Sequence, residues 1–258
     1  MSLILRTAVL TDPGLVRTNN EDAAYASTRL IVIADGIGGQ PAGELASEIV
    51  VRTLSALDGT PIEGDPTAAL CAAVDAANQQ IRMAAATNPA SEGMGTTVTA
   101  AMLTGDQIAV VHVGDSRGYL FRDRVLYQFT RDDTFVQALV DEGILSAEEA
   151  RTHPQRSLVT SAVQGDAVTP AMGLVPVQEG DRLLLCSDGL TDVVTDLVIA
   201  QTLAAYTDLR QCAEHLIKLA HQAGAPDNVT VIVADLVRAD AGSTVANRMT
   251  EDYYAEIT

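Results

Sequence analysis

An aspartate ends or begins each of four short apolar runs, and this pattern limits the possible fold more than any other feature of the chain. Runs of this length that are rich in valine, isoleucine and leucine predict buried strands. The four aspartates are therefore expected at strand ends, where sheet edges can bring them together. The runs and their aspartates are 31–34 before Asp35, 109–114 before Asp115, 183–187 before Asp188, and 229–233 after Asp227.

Carboxylates gathered at such edges need a counter-charge. Like charges in a partly dry site are either protonated or neutralised, and a hard divalent cation is the natural partner for carboxylate oxygens. The dipeptide Asp-Gly is the commonest tight turn, so Asp35-Gly36 or Asp188-Gly189 taken singly favours an ordinary turn. Because each preceding run is apolar enough to be buried, the repeated pattern instead predicts a metal-dependent enzyme.

The charge balance restricts the partners. The 258 residues suit one large domain or two small ones, and they include 34 acidic against 16 basic side chains, a formal net charge of −18. Nucleic acid and anionic membrane surfaces bind basic faces, so neither is expected as a partner. The acidity suits a solvated surface or, alternatively, a field that favours cations and basic protein substrates.

Cysteine usage and hydropathy predict a soluble, cytoplasmic protein. The three cysteines are scattered, which favours a reducing compartment without a disulfide framework. The N-terminus lacks the pattern of a secretory signal, and no apolar run approaches the roughly 18 residues of a membrane span.

Strand-like pairs alternate with helix-like pairs, which favours an α+β layered domain over a parallel sheet. Residues 152–166 have no clear period and are expected to form a mobile flap, whereas 239–258 is polar and is expected to be disordered. The predicted strands are 3–11, 23–27, 30–34, 96–103, 107–113, 117–122, 125–129, 168–173, 181–187 and 229–237. The predicted helices are 41–57 with Pro41 in its first turn, 66–86, 133–142, one starting at a capping box in 146–149, 195–205 and 208–223.

The polar loop 17–22 carries an arginine and two adjacent acids. It is either a solvated loop with a local ion pair or a ligand-binding loop. In the second case Glu21 and Asp22 would hold a cation or its waters, and Arg17 would present donors to a phosphate.

The glycine-rich loop 35–44 does not fit a nucleotide cradle. Pro41 stands where a dinucleotide fingerprint needs its third glycine, and the only lysine, Lys218, is too distant for a Walker loop. The glycines would instead let the backbone approach a metal and donate a carbonyl. Cysteine-nucleophile chemistry and a Cys/His zinc site are also disfavoured, because no cysteine has an arginine six residues later and the four histidines lack ligand spacing.

Six motifs follow one another along the chain: Arg17-x-x-Asn20-Glu21-Asp22, Ala34-Asp35-Gly36-Ile37-Gly38-Gly39, Gly95-Thr96-Thr97, Val113-Gly114-Asp115-Ser116-Arg117, Ser187-Asp188-Gly189-Leu190 and Asp227-Asn228-Val229-Thr230. Their order over about 5–237 resembles the bacterial branch of the type 2C metal-dependent Ser/Thr protein phosphatases, the PPM family. The resemblance implies a four-layer α/β/β/α sandwich of two mainly antiparallel sheets flanked by helix pairs. The catalytic domain would span 1–238, with a flap at about 141–166.

The resemblance also implies a dinuclear Mn²⁺ or Mg²⁺ site at one end of the sheets. Asp35 would bridge the two ions. Gly36 would give its backbone carbonyl to one of them, with Glu21 nearby, and Asp188 and Asp227 would ligate the other.

Further roles follow from the same resemblance. Asp22 would hold metal-bound water, and Arg17 would bind the phosphate. Bacterial members often show a third ion, for which Asp115 and Asp188 are the matching carboxylates and Ser157 is the candidate carbonyl donor.

The implied activity is hydrolysis of phosphoserine and phosphothreonine in proteins by a monomer, through direct attack of a water that bridges the metals, in opposition to bacterial Ser/Thr kinases. Two positions depart from the family pattern, because Gln40 and Asp133 stand where many members have histidine. Both losses remove candidate acids, so metal-bound water is expected to protonate the leaving group. The alternatives are a catalytically silent member that binds a partner, and a two-metal nuclease, which the charge of −18 disfavours.

Overall fold

Antiparallel strands and paired helices make up the part of the chain that the computed structural model describes, residues 2–38 and 42–239. In these ranges the strands are β1 (Leu3–Asp12), β2 (Asp22–Ala26), β3 (Leu30–Ile37), β4 (Gly95–Thr96), β5 (Val98–Thr104), β6 (Gln107–Val113), β7 (Arg117–Arg122), β8 (Val125–Gln128), β9 (Ala171–Pro176), β10 (Arg182–Cys186) and β11 (Val229–Arg238). The helices are α1 (Ala42–Ser55), α2 (Pro66–Thr87), α3 (Phe135–Asp141), α4 (Ala147–Thr152), α5 (Asp188–Thr191), α6 (Asp196–Ala205) and α7 (Leu209–Gln222).

The strands form two antiparallel sheets. One has the order β1-β11-β10-β7-β8, and the other has the order β2-β3-β5-β6-β9 with β4 added to β3. β1 pairs with β11 from Leu3↔Arg238 to Asp12↔Val229, so strands from the two ends of the described chain lie side by side in one sheet.

The sheets pack face to face between two helical layers. Successive residues of a strand point to opposite faces, so Ile31 and Ile33 of β3 enter the core between the sheets, while Leu30 and Val32 enter the core under α1 and α2. Helices α6 and α7 cover the other sheet. This arrangement confirms the predicted α/β/β/α sandwich. Because both faces of the central strands are buried, their sequences are unbroken apolar runs.

Some elements differ from the sequence prediction. β9 occupies Ala171–Pro176 rather than 168–173, because this edge strand is mostly exposed and takes its register only from β6. The predicted strand 96–103 is divided at Thr97 into β4 and β5, and α5 was not predicted because it is too short to show a period. β3 continues to Ile37 because β2 and β4 pair with its last residues, so Asp35 lies within the strand and not after it.

Two predictions fall outside the described residues, namely Pro41 in the first helical turn and a disordered tail beyond residue 239. The predicted flap region contains α4 with its capping box, and isolated bridges join Val159 to Thr134 and Val163 to Thr96. Within the described ranges, every helix is too short or too polar to cross a membrane.

Arg182 joins three elements inside the sandwich. Its guanidinium donates hydrogen bonds of 2.6 and 3.1 Å to the Asp235 carboxylate of β11, and one of 2.9 Å to the Leu203 carbonyl of α6. The Arg182 side chain is 10% exposed, whereas Arg6, which pairs with the same carboxylate at 2.9 Å, is 62% exposed. Asp235 therefore forms one ion pair with a buried arginine and one with an exposed arginine, so the two can be compared directly.

We expect Arg182→Met to lower the free energy of unfolding by about 3 kcal/mol, because it leaves the Asp235 carboxylate buried with a weaker partner. The matched control Arg6→Met should change it by less than about 1 kcal/mol, since exposed pairs are largely screened by water. Urea denaturation followed by circular dichroism measures both. Equal losses in the two variants would contradict this account.

Candidate metal centre

The four strand-end aspartates contribute to one cleft of about 440 Å³ at an end of the two sheets. They meet because antiparallel neighbours alternate in direction: β10 ends beside the first residues of both β7 and β11, and β3 and β6, separated by β5, end at the same edge. We call this the aspartate cleft. The predicted site residues that line it are Arg17, Glu21, Asp35, Gly36, Asp115, Ser157, Asp188 and Asp227.

Backbone hydrogen bonds fix the position of Asp35. Its N–H donates to Thr97 Oγ1 at 3.0 Å, and its carbonyl accepts from Thr97 N and Thr96 Oγ1, both at 2.8 Å. Only the carboxylate is left to face the cleft. The next residue must be glycine, because a Cβ on Gly36 would collide with the carbonyl of Gly43.

Glu21 is held between the loop before β2 and the start of α1. Its N–H donates to Asn228 Oδ1 at 2.8 Å, and its carbonyl accepts from Ser47 Oγ at 2.6 Å. Asn19 Nδ2 donates to Oε1 at 2.8 Å. A Cβ on Gly43 would collide with Glu21 Oε2, so the carboxylate packs directly on the helix backbone.

Asp22 is the one predicted site residue that does not line the aspartate cleft. It is registered against Asp35 across β2 and β3, and its Oδ2 accepts from Ser187 Oγ at 2.8 Å. Its Oδ1 is buried without a hydrogen-bond partner. The pKa of Asp22 is raised to about 6, mainly by burial and to a smaller extent by the charges of Asp227 and Glu21, while hydroxyl hydrogen bonds oppose the rise.

Asp188 begins α5 directly after the N-cap residue Ser187. A Cβ on Gly189 would collide with the Asn228 carbonyl, so glycine allows this turn to lie against the start of β11. Asp188 Oδ1 is buried and, like Asp22 Oδ1, has no hydrogen-bond partner. One of these oxygens belongs to the first residue of β2, and the other belongs to the first residue of α5, two positions after β10.

Crowding of carboxylates dominates the electrostatics. Burial raises the pKa of both Asp35 and Asp188 well above the ordinary value, and mutual repulsion with Asp115 and Asp227 raises each further. Burial also raises the pKa of Asp115 to about 7, with added repulsion from Asp132. Nearby positive charge therefore does not offset the burial and mutual repulsion of these three carboxylates.

Arg17 stands at the exposed margin of the cleft. Its Nη2 donates to Asp227 Oδ2 at 2.8 Å, and the side chains are 51% and 37% exposed, respectively. This hydrogen bond is the main reason that the pKa of Arg17 is raised. The predicted phosphate-binding group thus already contacts a predicted metal ligand.

The donor set fits hard divalent cations, which prefer carboxylate and carbonyl oxygens. Two buried carboxylate oxygens without partners are groups that a cation would satisfy. No three acidic, histidine or cysteine side chains among the described residues form a finished metal cage. The fit therefore rests on the chemistry and burial of the oxygens, and ion binding requires some of these side chains to move.

Sequence reasoning missed the residues that position the carboxylates. Asn228 ties the loop before β2 to the site, since its Nδ2 donates to Asn19 O at 2.8 Å and to Pro13 O at 3.1 Å. Ser187 Oγ accepts from Thr230 N at 3.0 Å while it donates to Asp22. The available signal was a small polar residue next to the aspartate in three of the motifs, namely Asp115-Ser116, Ser187-Asp188 and Asp227-Asn228.

The two departures from the family pattern have different outcomes. Asp133 Oδ2 accepts from Gly114 N at 3.0 Å, and Asp133 is not among the residues that line the cleft. Gln40 lies outside the described residues. Among the described lining residues there is no histidine, and the buried His112 is hydrogen-bonded to Thr99 and the Arg131 carbonyl.

Comparisons with known proteins agree with this architecture. The serine/threonine protein phosphatase PstP of Mycobacterium tuberculosis is 50% identical over 244 residues, which cover 95% of this chain and 47% of PstP. The chain thus spans about half the length of that relative. Protein phosphatase PhpP of Streptococcus pneumoniae is 35% identical over 246 residues, covering 92% of this chain and 100% of PhpP.

Solved structures show the same fold. A crystal structure of M. tuberculosis PstP/Ppp superposes with a TM-score of 0.89 at 51% identity, covering 91% of this chain and 100% of that chain. The catalytic domain of PstP in complex with two manganese ions gives 0.87 at 48% identity, covering 92% and 100%. A sequence profile described as "Protein phosphatase 2C" matches residues 17–233. The chain belongs to the protein phosphatase 2C family.

Proposed function

We propose that the chain is a Mn²⁺- or Mg²⁺-dependent protein serine/threonine phosphatase. The observation that carries this proposal is a cluster of buried, uncompensated carboxylates with an arginine at its margin. Such a site binds divalent cations and then attracts an anionic phosphoryl group. Relatives named as serine/threonine phosphatases, and the two manganese ions in PstP, support the same conclusion.

The proposed ligands are those that line the aspartate cleft. Asp35 would bridge two ions, with the Gly36 carbonyl and Glu21 beside one of them, and Asp188 and Asp227 would bind the other. When bound, the cations would supply positive charge and lower the pKa of water near the phosphorus atom.

Further groups complete the proposed site. Asp115 and Asp188 would hold a third ion with the help of Ser157. Asp22, which lies beside the cleft wall, would act through water, and its hydrogen bond from Ser187 orients it for that task.

Arg17 would bind the phosphoryl oxygens. Its guanidinium is half exposed and uses Nη2 for Asp227, so other N–H groups remain for a phosphate. If Asp227 turns to a cation, Arg17 gains further donors for the phosphate. The leaving alkoxide would take its proton from water, because the described cleft lining contains no histidine.

The remaining predictions about the whole protein stay proposals. The substrates would be phosphorylated proteins, the catalytic domain would span 1–238 with a flap at about 141–166, and the chain would act as a monomer in the cytoplasm without nucleic-acid or membrane partners. A catalytically silent member is the alternative, and the intact carboxylates argue against it.

Activity should depend on Asp188. We expect Mn²⁺-dependent hydrolysis of p-nitrophenyl phosphate. Mutation of a residue that only supports a metal ligand lowers activity by about 10- to 100-fold, so loss of the ligand itself in Asp188→Ala should lower kcat/KM by more than this. Asp106→Ala, which changes an exposed turn between β5 and β6, should leave turnover unchanged. Equal turnover by wild type and Asp188→Ala would refute the proposed site.

The pH dependence of stability should reverse when metal is added. In EDTA, the pKa values of Asp22 and Asp115 in the folded protein are about 6 and about 7, above their ordinary value of 3.8. At a pH between 3.8 and these raised values, the folded protein therefore binds more protons than the unfolded chain. Stability from these groups is present below pH of about 4 and falls as the pH rises to about 7. With Mn²⁺ it should rise over the same interval, because ligands must lose their protons.

Melting temperatures between these pH values, in EDTA and in Mn²⁺, measure this reversal. At a free Mn²⁺ concentration of 100 times Kd, mass action adds about 2.7 kcal/mol to the folded state. Asp115→Asn should flatten the decline in EDTA. A melting temperature indifferent to both Mn²⁺ and EDTA would exclude a cation site in the aspartate cleft.

A further inference from the structure

A second cleft, of about 190 Å³, adjoins the aspartate cleft under α3 and α4. We call it the flap cleft. Asp115 and Asp188 line both clefts, so they form a shared wall. Because one extended residue spans about 3.5 Å, a peptide bound with its phosphate in the aspartate cleft can place a neighbouring side chain here.

Most charges that line the flap cleft have partners. Arg117 donates to both oxygens of the Asp132 carboxylate at 2.6 to 3.0 Å. Asp196 accepts from Tyr119 Oη at 3.1 Å and lies 3.9 Å from Arg117 Nη1. Arg117 is therefore shared between two carboxylates, and neither it nor Asp132 is left without a partner.

Asp192 is also engaged. It caps the C-terminus of α5, and its Oδ2 accepts from Ser157 Oγ at 3.1 Å and lies 3.3 Å from Arg156 Nε. Two consecutive flap residues thus compensate this carboxylate. Asp115 and Asp188, the remaining acids of the lining, belong to the proposed cation ligands.

Arg151 is left without a counter-charge. This half-buried side chain lines the flap cleft and forms no ion pair among the described residues. Glu149, two residues earlier on α4, is used by the capping box, where its Oε2 accepts from both the N–H and the hydroxyl of Ser146. Glu148 is exposed and likewise forms no ion pair with Arg151 in the described ranges.

The helix that carries Arg151 is held in place. Its capping box fixes the N-terminus, Ala150 is buried, and the ring of His153 at its C-cap packs against Phe135 of α3 with 6.3 Å between centroids. Val136, like Ala150, gives the cleft an apolar wall that strengthens a charge interaction relative to water. The backbone that carries Arg151 is therefore fixed beside a cleft with an apolar wall.

We propose that Arg151 is a specificity-determining residue that binds a negatively charged substrate side chain next to the phosphorylated serine or threonine. The anion is a carboxylate or a second phosphate, since a guanidinium binds both. The inference rests on the proposed phosphatase function. It assigns the flap cleft to the substrate residue that flanks the reaction centre.

The test compares phosphothreonine peptides that differ only in glutamine, glutamate or phosphoserine at each flanking position in turn. We expect wild type to favour glutamate over glutamine at one position by about three- to fivefold in kcat/KM, the effect of a partly screened ion pair. The gain should appear in KM and shrink as NaCl is raised. Comparison of kcat/KM between the phosphoserine and glutamate peptides shows whether Arg151 prefers a second phosphate or a carboxylate.

Charge-altering variants connect this preference to one side chain. Arg151→Ala should abolish it, Arg151→Lys should keep part of it, and Arg151→Glu should favour lysine at the same position. Arg210→Ala, which removes a 69% exposed arginine of α7, should keep the wild-type preference. Melting temperatures of all variants establish that they are folded.

Fluorescence anisotropy of labelled peptides measures the same preference as binding, so it stays measurable even without turnover. Absence of any metal-dependent hydrolysis would refute the proposed function alone. Hydrolysis without glutamate preference at any position, or a preference that survives in Arg151→Ala, would overturn the role of Arg151. A preference for lysine in wild type would overturn it as well.

Discussion

Repulsion among buried carboxylates is the constraint on which the rest of this structure depends. Asp22, Asp115 and Asp188 each raise the pKa of Asp35 by repulsion, and burial is the largest cause of the raised pKa in all four residues. A folded protein is only marginally stable, so a cluster of this kind requires a scaffold that offsets it. The two face-to-face sheets supply that scaffold, because their central strands are buried on both sides.

The scaffold controls the carboxylates through close backbone contacts and small polar side chains. Gly36 and Gly189 allow segments from different elements to approach more closely than any side chain would permit. Asn228 binds the backbone of a loop more than 200 positions earlier in the chain. These contacts fix the backbone that carries the acidic groups before any ion arrives, so that only side chains need to move upon binding.

The two adjoining clefts have complementary charge properties. The aspartate cleft is uncompensated and acidic, so it attracts cations, and bound cations would then make it attractive to a phosphate. The lining of the flap cleft has five acidic and three basic side chains, and Arg151 is the basic one that forms no ion pair among the described residues. Arg17 and Arg151 thus lie on different sides of the shared wall, and each suits an anion on a substrate that extends across both clefts.

Much of the fold could be predicted from the sequence, because strands buried on both faces produce unbroken apolar runs and amphipathic helices produce a helical period. The short β4 and α5 could not be predicted as separate elements, because they contain too few residues to show a period. The bounds of the edge strand β9 could not be predicted either, because it takes its register from β6 alone. The family resemblance, drawn from six ordered motifs, is confirmed by the comparisons. Its residue roles remain predictions that the proposed experiments test.

The sequence by itself determined which carboxylates are present and that they lie in or next to buried strands. Only the tertiary structure decided that Asp22 lies beside the cleft and not in its wall, that Arg17 pairs with Asp227, and that Arg151 is left without a partner. The reason is physical. Local periodicity reports which face of an element is buried, whereas the partner of a charged side chain depends on which distant segments the sheets bring together.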